Sequence, residues 1–287
     1  MATKVNNYKK KCKIINNQLE ICAMMRSGQH GIINWIIQQV EEPVYFHNDI
    51  LCFSGKKAFE DRGEWHNAKG KKPIEIFPWY IYNMEDISIE NIKNIKAKYK
   101  KTLYIVPPRK ENTILILRDP FNLFSSRLRF FHRSNTLRKE VGKKNLSFSH
   151  KTNENSDISW FDKGAVKRWS EYAKEYLGKT NYLGNDKVLI NYNLWFKDKK
   201  YRKNIINNLG LKFSDRGLNK VPGNGYGSSF DVMTKDGKAQ EMNVLNRWMW
   251  FMCAKQFKDI FKNKEMLDLS SEIYPELTKK VIKELGL

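Results

Sequence analysis

The sequence predicts an α/β fold, a central parallel sheet covered by helices on both faces, and three observations carry that prediction. Short apolar runs of strand length alternate with stretches of helical period from Leu19 to Leu211. Several of these runs, such as Thr113 to Leu117, are continuously apolar, as strands buried on both faces are. No internal repeat appears, and a length of 287 residues fits a single domain over residues 1–287.

The elements follow in order. Leu19 to Met25 reads as a strand that ends at Arg26-Ser27-Gly28, after which Ile32, Ile33, Trp35, Ile36, Ile37 and Val40 recur at helical spacing. Val44-Tyr45-Phe46 is a second strand, cut short by His47-Asn48-Asp49. Residues 54–86 hold scattered Gly, Pro and aromatic residues without a sustained period, and read as a loop-rich insertion that could cover a substrate. Thr102–Val106 and Thr113–Leu117 are further strands. Pro120 then stands in the favoured first-turn position of a helix that continues to Phe131. Residues 133–157, rich in Lys, Asn and Ser, read as a mobile surface loop. A helix over Trp160–Leu177, a strand at Val188–Asn191 and a helix from Asp198 to Leu209 come next. The Gly and Ser cluster from Gly223 to Phe230 is a loop, and Met242–Phe261 and Pro275–Leu285 read as helices.

Composition narrows the function. A formal net charge of +21 implies attraction for polyanions or anionic small molecules, beyond the many Lys that simply solvate the surface. The four cysteines, Cys12, Cys22, Cys52 and Cys253, form no CxxC pair, so neither a zinc site nor a disulfide framework is expected, and a reducing cytoplasm fits best. No apolar run reaches the length of about 20 residues that a spanning helix needs, and the basic N-terminus lacks an apolar signal region, so no membrane attachment is expected.

Two elements carry chemistry. Arg26-Ser27-Gly28-Gln29-His30-Gly31 is a glycine turn between strand and helix, where unpaired N–H groups and the helix dipole can receive an anion, although glycine can also serve packing there. It is not GxxxxGK[ST], which disfavours a P-loop nucleotide kinase. In the second element Arg118 closes a strand and Ser126 lies two turns into the next helix, within reach of one phosphate. Asp119 reads equally as a helix N-cap.

Together and in this order, the two elements resemble the sulfotransferase family. The first resembles its 5′-phosphosulfate loop, a basic residue followed by Ser-Gly. The second resembles its 3′-phosphate motif, Arg-[Asn/Asp]-Pro with Ser126 eight positions beyond Arg118. Val188 to Leu194 and Asn208-Leu209-Gly210-Leu211 are similar to a later strand and helix of that family. The resemblance implies a P-loop-like sulfotransferase architecture and a 3′-phosphoadenosine 5′-phosphosulfate donor, without a metal. It implies that Arg26 contacts the sulfuryl or bridging oxygen, and that Ser27, Gly28, Gln29, His30 and Gly31 cradle the 5′-phosphate. Arg118 and Ser126 would hold the 3′-phosphate, and Gly227, Ser228, Ser229 and Phe230 stand where a late loop closes over the nucleotide, or else form an ordinary surface turn.

The chain departs from the family at the base. Members acting on small phenols carry a His shortly before the 3′-phosphate strand, where this chain has Ile105 to Arg109. Members acting on glycans or protein tyrosines carry a Glu on the second strand, just over twenty residues past the basic residue of the first loop. His47 stands 21 positions past Arg26, with Asp49 beside it, so His47 or Asp49 is the expected base. The acceptor is a small molecule or a glycan that the sequence does not identify. A nucleic-acid-binding protein, motivated by the charge and the aromatic residues, is the rival from another class and is disfavoured.

Overall fold

The computed structural model describes residues 14–50, 63–68, 76–95, 109–141, 163–223 and 227–287. Six strands form one sheet: β1 (Ile14–Ala23), β2 (Val44–His47), β3 (Gly63–His66), β4 (Ile76–Glu85), β5 (Lys110–Leu117) and β6 (Val188–Asn191), in the spatial order β3-β2-β4-β1-β5-β6. All neighbours run parallel except the edge pair β2 and β3. The helices are α1 (Gln29–Ile37), α2 (Pro120–Val141), α3 (Lys163–Tyr176), α4 (Tyr192–Lys197), α5 (Lys199–Asn208), α6 (Lys255–Ile260), α7 (Lys264–Ile273) and α8 (Pro275–Leu285). The expected α/β class, a central sheet flanked by helices, is what the chain forms.

Two apolar layers hold the helices on the two faces. Leu19, Ile21 and Ala23 of β1 pack with Ile32, Ile33 and Ile36 of α1 and with residues of α4 and α5. On the opposite face Cys22, Leu115 and Leu117 pack with Phe121 and Phe124 of α2, Trp169 and Tyr172 of α3, and residues of α7 and α8. Each face of the sheet is thus covered, which explains why the carboxyl halves of β1, Leu19–Ala23 broken only by Glu20, and of β5, Thr113–Leu117, read as nearly continuous apolar runs.

Three expectations need correction. The region 54–86 is not a loop-rich insertion throughout, because it contains β3 and the ten-residue β4, which lies inside the sheet between β2 and β1. Pro78, Asn83 and Glu85 broke the apolar pattern of β4, while Trp79, Tyr80, Ile81 and Tyr82 supply the aromatic and β-branched side chains that strands favour. Residues 133–141 continue α2 rather than opening a loop. Residues 142–157, the expected strand 102–106 and residues 224–226 of the Gly and Ser cluster lie outside the described residues.

Met242–Phe261 is not one helix: a 3-10 turn at Ala239–Glu241 precedes it, and it holds a second 3-10 turn at Arg247–Trp250 and the short α6. Its backbone is engaged elsewhere. The Val244 carbonyl accepts from Arg118 at 2.6 Å and the Leu245 carbonyl from Asn122 at 2.9 Å, so neither is left for an i to i+4 bond.

Candidate functional site

Parallel register brings the strand ends to one edge. Ala23 of β1 lies opposite Glu85 of β4 and Ile116 of β5, and Leu117 lies opposite Asn191 of β6. Residues that follow each strand, Arg26, Asp86, Arg118 and Tyr192, therefore collect at the same carboxyl edge. The chain builds β2 to β4 on one side of β1 and β5 and β6 on the other, and in open α/β sheets such a reversal opens a crevice.

The turn after β1 is shaped by left-handed backbone. Arg26 has φ 68° and Gly28 φ 88°. A Cβ on Gly28 would lie 2.1 Å from a ring carbon of Tyr192, so glycine is required there twice over. Gly28 N-caps α1 without a side-chain hydrogen bond, and the first turn of α1 carries no acidic residue. The N–H groups of Gly28, Gln29 and His30 are those a helix leaves without an internal partner, whereas Ser27 donates to the Met24 carbonyl and Gly31 to that of Gly28. Two buried side-chain atoms here, Ser27 Oγ and Gln29 Nε2, have no protein hydrogen-bond partner. The turn is braced by Asp86, which accepts from the Met25 N–H at 3.1 Å and from Arg127 Nη1 at 2.8 and 2.9 Å. Burial works to raise the Asp86 carboxyl, but Arg127 and the Met25 N–H hold it below the usual carboxylate range.

Arg118 and Ser126 do meet. Arg118 Nη1 donates to Ser126 Oγ at 3.1 Å and to the Arg26 carbonyl at 3.1 Å, while its Nε is buried without a protein partner. Asp119 caps α2 by accepting from the Asn122 N–H at 2.8 Å, so the capping role coexists with the Arg118 arrangement. The structure adds a residue that the sequence did not single out. Arg247, from the second 3-10 turn, donates through Nη1 to the same Ser126 hydroxyl at 3.2 Å and through Nη2 to Ser228 Oγ at 2.6 Å and Asp231 Oδ2 at 3.1 Å. Burial first, and then the neighbouring Arg118 charge, push Arg247 down to about 10. Arg118 and Arg247 are buried cations that meet at one hydroxyl, with the half-buried Asp231 carboxylate paired to Arg247, and an anion at Ser126 would relieve both. The sole sequence signal for Arg247 is its place in a basic, aromatic-rich stretch.

The late loop closes on the same place. Arg26 donates through Nε to Ser229 Oγ at 2.7 Å and through Nη2 to the Gly227 carbonyl at 2.8 Å. Each site guanidinium also lies over an aromatic ring: Arg26 over Phe130 at 4.7 Å, Arg118 over Tyr192 at 4.8 Å and Arg247 over Phe230 at 4.9 Å. These faces fix the planes of the guanidiniums and stabilise them away from bulk water. Trp250, 72% exposed, packs against Phe230 with ring centroids 5.7 Å apart.

The two expected base residues part company: His47 shares the sheet face opposite α1, whereas Asp49 lies beside Glu85. His47 ends β2 and is 3% exposed, and its register partner is Tyr82, whose side chain belongs to the layer opposite α1. Asp49 has φ 43°, donates its N–H to Asn83 Oδ1 at 2.8 Å and accepts from the Glu85 N–H at 3.4 Å. Glu85, which the sequence reading passed over, shares the α1 face with its register partner Ala23. Its Oε1 lies 3.2 Å from Asn83 Nδ2 and 3.5 Å from His30 Nε2, and its side chain is 14% exposed. Burial, then the charges of Asp49 and Asp86, push Glu85 up to about 8, with Arg26 and the Asn83 bond working the other way. His30 is held down to about 4 by burial and is therefore neutral; its Nε2 pairs with Asn48 Oδ1 at 2.8 Å.

Among the described residues no group of three or more His, Cys, Asp or Glu is arranged to hold a metal ion, and no helix is long and apolar enough to cross a membrane. No family model matches the chain, and no curated protein matches it. Among solved structures the chain is similar to mouse sulfotransferase SULT7A1 complexed with PAP, at 14% identity over 96% of this chain and 91% of that one, with a TM-score of 0.49.

Proposed function

We propose that the protein is a sulfotransferase that moves a sulfuryl group from 3′-phosphoadenosine 5′-phosphosulfate to an acceptor hydroxyl or amine. The observation that carries this reading is the meeting of Arg118 and Arg247 at the Ser126 hydroxyl, beside a helix N-terminus that no side chain caps. These are two separate anion sites, and the donor has two separate anionic ends. In this reading Arg118, Arg247, Ser126 and Ser228 hold the 3′-phosphate. The N–H groups of Gly28, Gln29 and His30, with the Ser27 hydroxyl, hold the 5′-phosphosulfate. Phe230 and Trp250 offer faces for adenine, and Gly227 and Ser229 hold Arg26 over the turn.

Sulfuryl transfer asks for in-line positioning and for stabilisation of charge on the departing phosphate, with little covalent work by the protein. Arg26 and the α1 N-terminus supply that stabilisation. The acceptor, a small molecule or a glycan, approaches from the side of Asp49 and Glu85.

Thermal unfolding with the product, adenosine 3′,5′-bisphosphate, tests the reading. At about 100 times Kd, mass action adds about 2.7 kcal/mol, which raises Tm by about 4–5 °C. Melting unchanged by the bisphosphate but raised by ATP with Mg²⁺ would replace this reading with that of a nucleotide kinase.

A further inference from the structure

We propose that Glu85, rather than His47 or Asp49, takes the proton from the acceptor. The inference rests on the sulfuryl-transfer reading of the anion site and names the group that completes it. Three geometrical facts carry it. Glu85 stands at the end of the strand directly beside β1, opposite Ala23, three residues before Arg26. It shares the α1 face, and its carboxylate lies 3.5 Å from His30, a residue of the first turn of α1 where the transferring group is bound. Its side chain also retains 14% exposure, whereas His47 is 3% exposed and in register with Tyr82 on the other face.

The groups around Glu85 tune it for this work. Asp49 follows β2 and Asp86 follows β4, and both charges disfavour a second negative charge. Arg26, from the turn after β1, favours it. His30 of α1 is neutral and leaves the carboxylate uncompensated from that side. The result is a carboxyl pushed up to about 8, whose ionised form, predominant above that pH, is a stronger base toward a hydroxyl than an ordinary carboxylate.

The acceptor oxygen forms a bond to sulfur as its proton passes to a Glu85 carboxylate oxygen. The bond from sulfur to the bridging oxygen of the phosphosulfate breaks, and its electron pair leaves on the 5′-phosphate of adenosine 3′,5′-bisphosphate, beside Arg26. Glu85 then returns its proton to solvent. Because the ionised form acts, kcat/KM rises with pH through an apparent pKa of about 8.

The test compares the full chain with Glu85→Gln and Glu85→Asp, using sulfur-35-labelled donor with 2-naphthol, glucosamine and water as probe acceptors, and calorimetry with the bisphosphate. Glu85→Gln is expected to lose turnover by roughly 10²–10⁴-fold and to keep bisphosphate affinity, while Glu85→Asp recovers part of the rate on a shifted pH profile. Turnover in Glu85→Gln within about threefold of the wild type overturns the proposal, as does an equal loss of bisphosphate affinity, which would mark a structural role. Independently of any acceptor, carbon-13 glutamate spectra of the native chain should contain a carboxyl that is missing in Glu85→Gln and titrates near pH 8. Titration below about pH 6 also overturns the proposal. A native chain that fails to bind the bisphosphate removes the sulfotransferase reading itself, a result distinct from either of these.

Discussion

Replacing Glu85 by Gln should stabilise the ligand-free protein increasingly as pH rises above 4.5, and in full above about pH 8. The side chain is held at about 8 in the fold against 4.5 as its ordinary value. Below pH 4.5 the folded and unfolded chains both carry the proton, so the native carboxyl and the amide are equivalent. Between 4.5 and 8 the folded state keeps a proton that the unfolded state has released, and native stability falls as pH rises. Above 8 the whole difference is present. At 1.36 kcal/mol per pH unit the ceiling is about 5 kcal/mol; water reaching the part-exposed carboxylate and relaxation of Asp49 bring the expected gain to about 2–3 kcal/mol, or about 3–5 °C in Tm. Thermal unfolding of both proteins at pH 4.5, 6.5 and 8.5, followed by circular dichroism, reads it directly. The reasoning is refuted if the Tm difference is the same at all three values, or if Glu85→Gln is the less stable protein at pH 8.5, because the carboxylate would then be making a favourable contact that the amide cannot replace.

Further outcomes follow from the same geometry. Arg247→Gln should weaken the bisphosphate by about 10–100-fold while leaving adenosine 5′-phosphosulfate, which lacks the 3′-phosphate, within about threefold; equal weakening in calorimetry would remove Arg247 from the 3′-phosphate site. Gly28→Ala combines φ 88° with the Tyr192 ring at 2.1 Å, and should cost more than about 3 kcal/mol in urea unfolding. Gly184→Ala, at φ 89° with nothing within 4 Å of its Cβ, should cost only about 1 kcal/mol and serves as its control. Asp49→Asn removes one of the two charges that, after burial, hold Glu85 up, so the acid limb of the pH–rate profile should move to lower pH, whereas His47→Ala should leave the limb in place. A limb that vanishes in His47→Ala would return the base role to the second strand.

The parts of the site legible in the sequence are those in which the chemistry is local. Arg118 and Ser126 are eight positions apart across one strand-to-helix junction, and the geometry of that junction alone sets their 3.1 Å contact. The turn from Arg26 to Gly31 is local in the same way, since a glycine at positive φ between an apolar strand and an apolar-faced helix has few other uses. Strand β1 and helix α1 were readable because their burial writes a strong periodic pattern.

What only the tertiary structure decided is non-local. Strand β4 was hidden because the residues that end it, Asn83 and Glu85, serve the cleft rather than the core, and a strand whose last turn outward is polar loses the pattern by which strands are recognised. Arg247 is separated from Ser126 by 121 residues and is presented by a segment whose carbonyls are taken up by Arg118 and Asn122. No spacing rule links those positions. Sequence distance pointed from Arg26 to His47, but sheet order inserts β4 between β2 and β1, and the pleat then decides which strand-end residue shares the face of α1. Composition and local motif determined the class of fold and the turn and Arg118–Ser126 pair of the candidate site; pairing register, which depends on contacts far apart in the chain, determined which carboxylate stands next to that turn.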